Sequence, residues 1–176
     1  MDRHPLTSRY AEMELERRFL LAELPSNVLR PIRITDRYIR ETNLRLRKME
    51  DLEGSAPPLF KLAQKVRPDP EDPTRVALTN LYITPFEYGL LGVHPADVLV
   101  KTHYSLHVDE RYVIVNAFEG ELQGLVLLEA DFGSEDEMVT FSPPDFVVRE
   151  VSHDDRFSGG CLAGTTRDKL PDLLNR

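Results

Sequence analysis

Residues 11–21 read AEMELERRFLL, and the alternation within them fixes the kind of element they form. Glu12, Glu14, Glu16 and Arg18 take every second place, with Met13, Leu15, Arg17 and Phe19 between them. Residues two apart share a face of a strand, whereas on a helix they are turned by about 200° from each other. The charges form a stripe only if the segment is extended.

The same spacing recurs along the chain. NLRLRKM sets Arg45 and Arg47 opposite Leu44 and Leu46, FKLAQKV aligns Lys61 with Lys65, and VKTHY aligns Lys101 with His103. GLVLLEADF aligns Glu129 with Asp131, after a run from Leu125 to Leu128 that is apolar on both faces. One such stripe is most simply a solvated outer face, but ordinary outer faces mix in Ser, Thr, Asn and Gln. Five stripes of nearly pure carboxylate or cation favour charged faces turned inward around a wet channel, with the apolar faces covered by helices.

Burying these ions unpaired would cost several kcal/mol each, so such an interior must hold water, metal or a charged ligand. Glu14, Glu16, Glu129 and Asp131 form a hard-oxygen set suited to Mg²⁺ or Mn²⁺, while zinc prefers His and Cys. The cations Arg18, Arg45, Arg47, Lys65 and Lys101 would then face an anion. A triphosphate, with roughly four to five negative charges near neutral pH, matches that demand.

Bulk composition bounds the rest. The 176 residues suffice for one domain, spanning 1–176, with 1–9 expected as a flexible leader and 165–176 as a terminal helix or tail. Lys and Arg number 22 against 30 Asp and Glu, a net charge of −8, which argues against wrapping duplex nucleic acid or coating an anionic membrane. Any polyanion site must therefore rest on a local field. Cys161, the single cysteine, excludes an intramolecular disulfide and is expected as a small buried residue. No apolar run has transmembrane length and the N-terminus lacks a signal-type apolar block, so the cytoplasm is the expected location.

Period-2 alternation and β-branched enrichment predict strands at 10–22, 32–41, 43–51, 58–66, 76–83, 98–108, 111–118 and 122–132. Turns at Asp109-Glu110 and Glu119-Gly120 join the last three as hairpins. Helices are short: a capping box of Thr84 and Glu87 opens one in TPFEYGLLG, with Pro85 first and Gly92 as its stop. Ser134 and Glu137 make a second box in SEDEM, and Pro171 is expected to interrupt a frayed helix in the tail. The expected class is α+β: a closed or nearly closed sheet with small helices outside it.

At the charged strands the sequence resembles the CYTH superfamily, or triphosphate tunnel metalloenzymes. ELERRF resembles the Glu-x-Glu-x-Lys strand through Glu14, Glu16 and Arg18. Tyr38 and RLR resemble the family's aromatic position and Arg-x-Arg strand, and KLAQK, ending in Lys65, its phosphate-binding lysine strand. KTHY resembles Lys-x-Arg-Tyr, GLVLLEAD the metal strand, and REVSHDDRFSGGCLA the closing Glu-Val-Thr segment and small-residue loop. The similarity runs from about residue 12 to residue 163.

The resemblance implies an eight-stranded antiparallel tunnel and a metal-dependent hydrolase of triphosphate-containing substrates: inorganic tripolyphosphate, polyphosphate, or a nucleoside or thiamine triphosphate. Glu14, Glu16, Glu129 and Tyr38 would be catalytic, and Glu14, Glu16, Glu129 and Asp131 would hold Mg²⁺ or Mn²⁺. Arg18, Arg45, Arg47, Lys65, Lys101 and His103 would bind phosphate. A barrel-filling role is the alternative for Tyr38. Departures from the pattern bear on turnover: Arg18 for Lys, Asp131 for Glu, His103 for Arg, Asn116 where many members carry an acid, and no acidic pair in TNLYIT. Two rival functions follow, a non-catalytic polyphosphate or nucleotide-binding module and a class IV-type adenylate cyclase. A homodimer is left open. Lys61 is expected as a solvated rim lysine, and Glu150 as a brace for a cation. His4, His94, His107 and His153 have no partner at ligand spacing.

Overall fold

The computed structural model describes residues 10–175, so the expected leader lies outside the described residues. Nine strands form one antiparallel sheet: β1 (Glu12–Leu21), β2 (Leu29–Ile39), β3 (Leu44–Asp51), β4 (Leu59–Val66), β5 (Arg75–Ile83), β6 (Ala96–Val108), β7 (Arg111–Phe118), β8 (Val126–Phe132) and β9 (Val147–Glu150). Their order is β5-β4-β3-β2-β6-β7-β8-β1-β9, and a further β5–β1 pairing closes the first eight into a barrel. All eight predicted strands are present. The ninth was not foreseen; its four residues pair with Phe19–Leu21 where β5 has left the edge of β1.

Strand β1 closes the barrel by changing partners along its length. Glu12–Leu15 pair with β5, and Leu15–Leu21 pair with β8. Its alternation assigns the faces. Glu14, Glu16 and Arg18 line the interior, and Leu20 continues that face into an apolar cluster. Phe19 and Leu21 face outward, yet are buried. They belong to an outer core with Leu106, Val115, Leu128 and Phe132, covered by Met138 and Phe141. Arg17, also outward, secures that cover: it forms a double hydrogen bond to Glu150 at 2.9 and 2.7 Å and donates to the carbonyls of Met138 and Phe141. Glu150 does brace a cation, but on the outside of the barrel.

The helices match the expectation in part. In α1 (Pro85–Leu91) both hydrogen bonds of the Thr84/Glu87 box are present. In α2 (Glu135–Thr140) Ser134 caps Glu137, but the Glu137 carboxylate accepts from Gly133 rather than from the cap residue. A third helix, α3 (Gly159–Ala163), was missed, and α4 (Leu170–Leu174) carries Pro171 in its first turn instead of being interrupted there, since proline fits that position. The 3₁₀ turn at Gly120–Leu122 lengthens the β7–β8 connection beyond a tight hairpin, so β8 starts at Val126. Cover of the outer apolar faces is also less helical than expected, because β9 and the chain leading to it share that role with α2. No helix among the described residues is long and apolar enough to cross a membrane.

One end of the barrel is stoppered by hydrophobic side chains. Leu20, Leu99, Phe118, Leu125 and Leu127 from the barrel and its loops pack with Val151, Phe157, Leu162, Leu170 and Leu173 from the last third of the chain. Ser152 fixes this closing segment to β1, where its hydroxyl accepts from the Arg18 N–H at 2.9 Å and the Val151 N–H donates to the Arg18 carbonyl at 2.8 Å. Phe157 is 1% exposed. Its replacement by alanine is expected to cost about 3–5 kcal/mol in urea denaturation, the usual range for emptying a fully buried aromatic site.

Candidate active site

A cavity of about 780 Å³ runs through the barrel, and all eleven site residues singled out from the sequence line it: Glu14, Glu16, Arg18, Tyr38, Arg45, Arg47, Lys65, Lys101, His103, Glu129 and Asp131. The strand register explains the convergence. Arg47 stands opposite Lys61 across β3–β4, Arg18 opposite Glu129 and Glu16 opposite Asp131 across β1–β8. Among the described residues, seven Lys or Arg and four Asp or Glu line the cavity, an excess of three positive charges in a chain of net charge −8. The local field is opposite in sign to the whole.

The charges pair in a graded way. Lys65 Nζ donates to Glu14 Oε2 at 2.9 Å, and Arg18 contacts Glu16. Glu129 lies 3.9 Å from Arg18 and 3.8 Å from Lys101. Burial would raise the Glu129 carboxyl, but Lys101 and Arg18 outweigh it and hold the group well below the usual carboxylate range. Lys101 itself is lowered, because burial of its ammonium exceeds the help from Glu129. A doubly hydrogen-bonded pair involves a residue the sequence reading passed over. Asp36, 1% exposed, accepts two hydrogen bonds from Arg47, both 2.7 Å, and lies 3.5 Å from Arg45. It shares the inner face of β2 with Tyr38, and strand pairing sets it opposite Arg47. That signal needed the register, not the sequence alone.

Asp131 and His103 are displaced in opposite senses. Burial and the neighbouring Glu16, Glu129 and Glu14 carboxylates push Asp131 up to about 7. Its residue surface is exposed, so water reaches it, and the like charges sustain the shift. Burial and Lys101 push His103 down to about 4. A lowered pKa favours the uncharged imidazole at neutral pH, so His103 would meet phosphate as a neutral, pH-dependent contact. The consequences for stability have opposite signs. Asp131 binds its proton more tightly folded than unfolded, so it lowers stability as pH rises from about 4 to about 7. His103 binds its proton less tightly folded, so it raises stability as pH rises from about 4 to about 6.5. Thermal melts between pH 4.5 and 8 (at roughly half-unit steps) should therefore change sign with the variant. Asp131→Asn is expected to steepen the rise with pH, and His103→Gln to reveal the fall.

Tyr38 is half-buried at the boundary between the charged cavity and the apolar stopper, where its ring packs against the latter. Burial and Asp36 raise its phenol. Its hydroxyl lies against Gly159: a Cβ built there would sit 2.0 Å from the oxygen and 3.0 Å from the ring carbon carrying it. Gly159→Ala must displace the tyrosine, and a destabilisation of about 1–3 kcal/mol is expected, as for an overpacked core site. The same substitution in a Tyr38→Phe background should cost less; equal costs in the two backgrounds would show that the two residues do not press on each other.

Other expectations resolve simply. Lys61 lines the cavity, with its ammonium over the Tyr82 ring at 4.8 Å, rather than standing free in solvent. Cys161 is exposed, not buried, because the short α3 turns it away from the stopper that Leu162 enters. His107 packs on the ring of Tyr112. Arg67, which no motif pointed to, also lines the cavity, as do Ser158, Gly159 and Gly160 of the closing small-residue loop.

Comparison with known proteins bears on the fold. No protein-family model and no curated protein matches the chain. Two solved structures of NE1496, one of them named as an inorganic triphosphatase, are 24% identical at a TM-score of 0.60. They cover 87% and 86% of this chain and 99% and 98% of their own. The chain has the fold of an inorganic triphosphatase. A proposed adenylate cyclase from Bacillus halodurans shares the fold at 16% identity and a TM-score of 0.51, over 75% of this chain and 87% of its own. This is the closed antiparallel tunnel that the resemblance to the CYTH superfamily implies.

The carboxylate end of the tunnel fits a hard divalent cation in its chemistry. Burial and three neighbouring carboxylates raise Asp131, so a cation placed at this end would meet four carboxylate side chains. As the side chains stand, no group of three or more His, Cys, Asp or Glu among the described residues is placed to hold a metal ion. Glu14 is turned to Lys65 and Glu16 to Arg18. Ligation would draw both carboxylates away from their cations, freeing those cations for an anion.

Proposed function

We propose that the protein is a divalent-metal-dependent triphosphatase that binds its substrate inside the tunnel. The observation that carries this reading is the convergence of seven cations and four carboxylates from separate strands on one cavity. Arg45, Arg47, Lys65 and Lys101 would clamp the phosphate chain, with Asp36 fixing the two arginines in place. Glu14, Glu16, Glu129 and Asp131 would hold Mg²⁺ or Mn²⁺, which neutralises phosphate charge and lowers the pKa of bound water. Arg18 stays protonated and serves position, not proton transfer. The fold shared with NE1496 and the ordered CYTH-like motifs support the same reading.

The test is phosphate release from tripolyphosphate, ATP and thiamine triphosphate with Mg²⁺ or Mn²⁺, beside Glu16→Ala. Metal-dependent release by the wild type and its loss in the variant are expected. Tight binding of tripolyphosphate without release would instead indicate a binding module, and formation of cyclic AMP from ATP would indicate a cyclase.

A further inference from the structure

Asn116 occupies a place that chain packing alone does not account for. It is 0% exposed, and neither its amide nitrogen nor its carbonyl oxygen has an aligned hydrogen bond. Among the described residues it is the one buried side chain with both polar atoms in that condition. An unsatisfied buried amide lowers stability, a cost that a side chain without polar atoms does not carry. Such a residue is retained where it acts on its neighbours.

The register identifies those neighbours. Asn116 stands directly opposite His103 across β6–β7. On the other side it pairs with Leu127, so Glu129 is its diagonal neighbour on the same inner face. The electrostatics of both groups respond to the Asn116 amide, which steadies a proton on His103 and the negative charge on Glu129. An amide is suited to this pair because it carries a donor and an acceptor at once. An acid in its place would repel Glu129, and an alcohol would not span both sides.

We propose that Asn116 is a positioning residue: its NH₂ donates to Glu129 while its carbonyl oxygen accepts from the ring N–H of a neutral His103. Holding that N–H selects one imidazole tautomer and leaves the bare ring nitrogen directed into the tunnel. His103 lines the cavity beside Lys101 and Glu129, where the bare nitrogen can accept a hydrogen bond from water or from a protonated phosphate oxygen. The histidine thus supplies an uncharged acceptor beside the cationic donors of the tunnel. This role rests on the triphosphatase reading, but the tautomer itself does not.

Nitrogen-15 NMR of the whole protein decides it, with the His103 signals assigned by their absence in His103→Gln. Wild-type His103 is expected in a single neutral tautomer at pH 7. Asn116→Leu, and Asn116→Ala as a second variant, should turn it into a mixture. With tripolyphosphate and Mn²⁺, kcat should fall tenfold or more with KM within twofold. A mixture of tautomers in the wild type, or an unchanged single tautomer in both variants, would overturn the proposal. If the wild type released no phosphate, the triphosphatase reading would fail while the tautomer measurement still decided the role of Asn116.

Discussion

Asp36→Ala is expected to destabilise the protein by about 3–5 kcal/mol, because it strands Arg47 and Arg45 in the barrel without a counter-charge. The magnitude comes from desolvated cations, not from the lost hydrogen bonds alone. Arg45 and Asp36 are 7% and 1% exposed, so water cannot replace the carboxylate. Asp97 provides the contrast. It accepts from Arg40 at 2.7 Å, an equally short contact, but the arginine side chain is 62% exposed, and Asp97→Ala should cost far less. Urea denaturation of the two variants compares the same kind of pair in two dielectrics. Burial would raise Asp36, but Arg47 and Arg45 prevail and lower it, so its contribution is present above its unfolded pKa and is lost as pH falls below about 4. Equal costs for the two substitutions would show that the Asp36 pair is as wet as the surface one.

Glu129→Gln should lower kcat for tripolyphosphate by about a hundred- to a thousandfold, roughly 3–4 kcal/mol of transition-state stabilisation. Two effects combine. The amide removes a charged oxygen donor from the carboxylate cluster, and it leaves Lys101 and Arg18 without the acid that lies between them. Affinity for the phosphate chain without metal should rise at the same time, since those cations lose their internal competitor. A fall in kcat joined to tighter metal-free binding separates this account from simple loss of structure. Weaker binding in both conditions would place Glu129 in a supporting role only.

The chain states its charged faces more clearly than its closure. Stripes such as Glu14-Glu16-Arg18 are legible because strand periodicity is local, and all of them line the cavity. Asp36 is not legible in ITDRYIR, where it reads as an acid between polar neighbours; its meaning comes from standing opposite Arg47 on another strand. The ninth strand and the apolar stopper escaped for the same reason. Val147–Glu150 is too short to show alternation, and Val151 is held by the carbonyl of Arg18, more than a hundred residues earlier in the chain. Arg17 shows the limit within the opening motif. It falls among the apolar positions, yet its partners lie near residues 138, 141 and 150. The expected burial of Cys161 failed because a five-residue helix gives too little periodicity to assign a face.

The central claim is that a metal and a chain of phosphates meet inside the barrel, and a crystal structure grown with tripolyphosphate and Mn²⁺ tests it most directly. The phosphates should lie within hydrogen-bond distance of Arg45, Arg47, Lys65 and Lys101, with Mn²⁺ on Glu14, Glu16, Glu129 and Asp131. Phosphate bound only on the outer surface, with Lys65 still on Glu14 and Arg18 still on Glu16, would contradict the account.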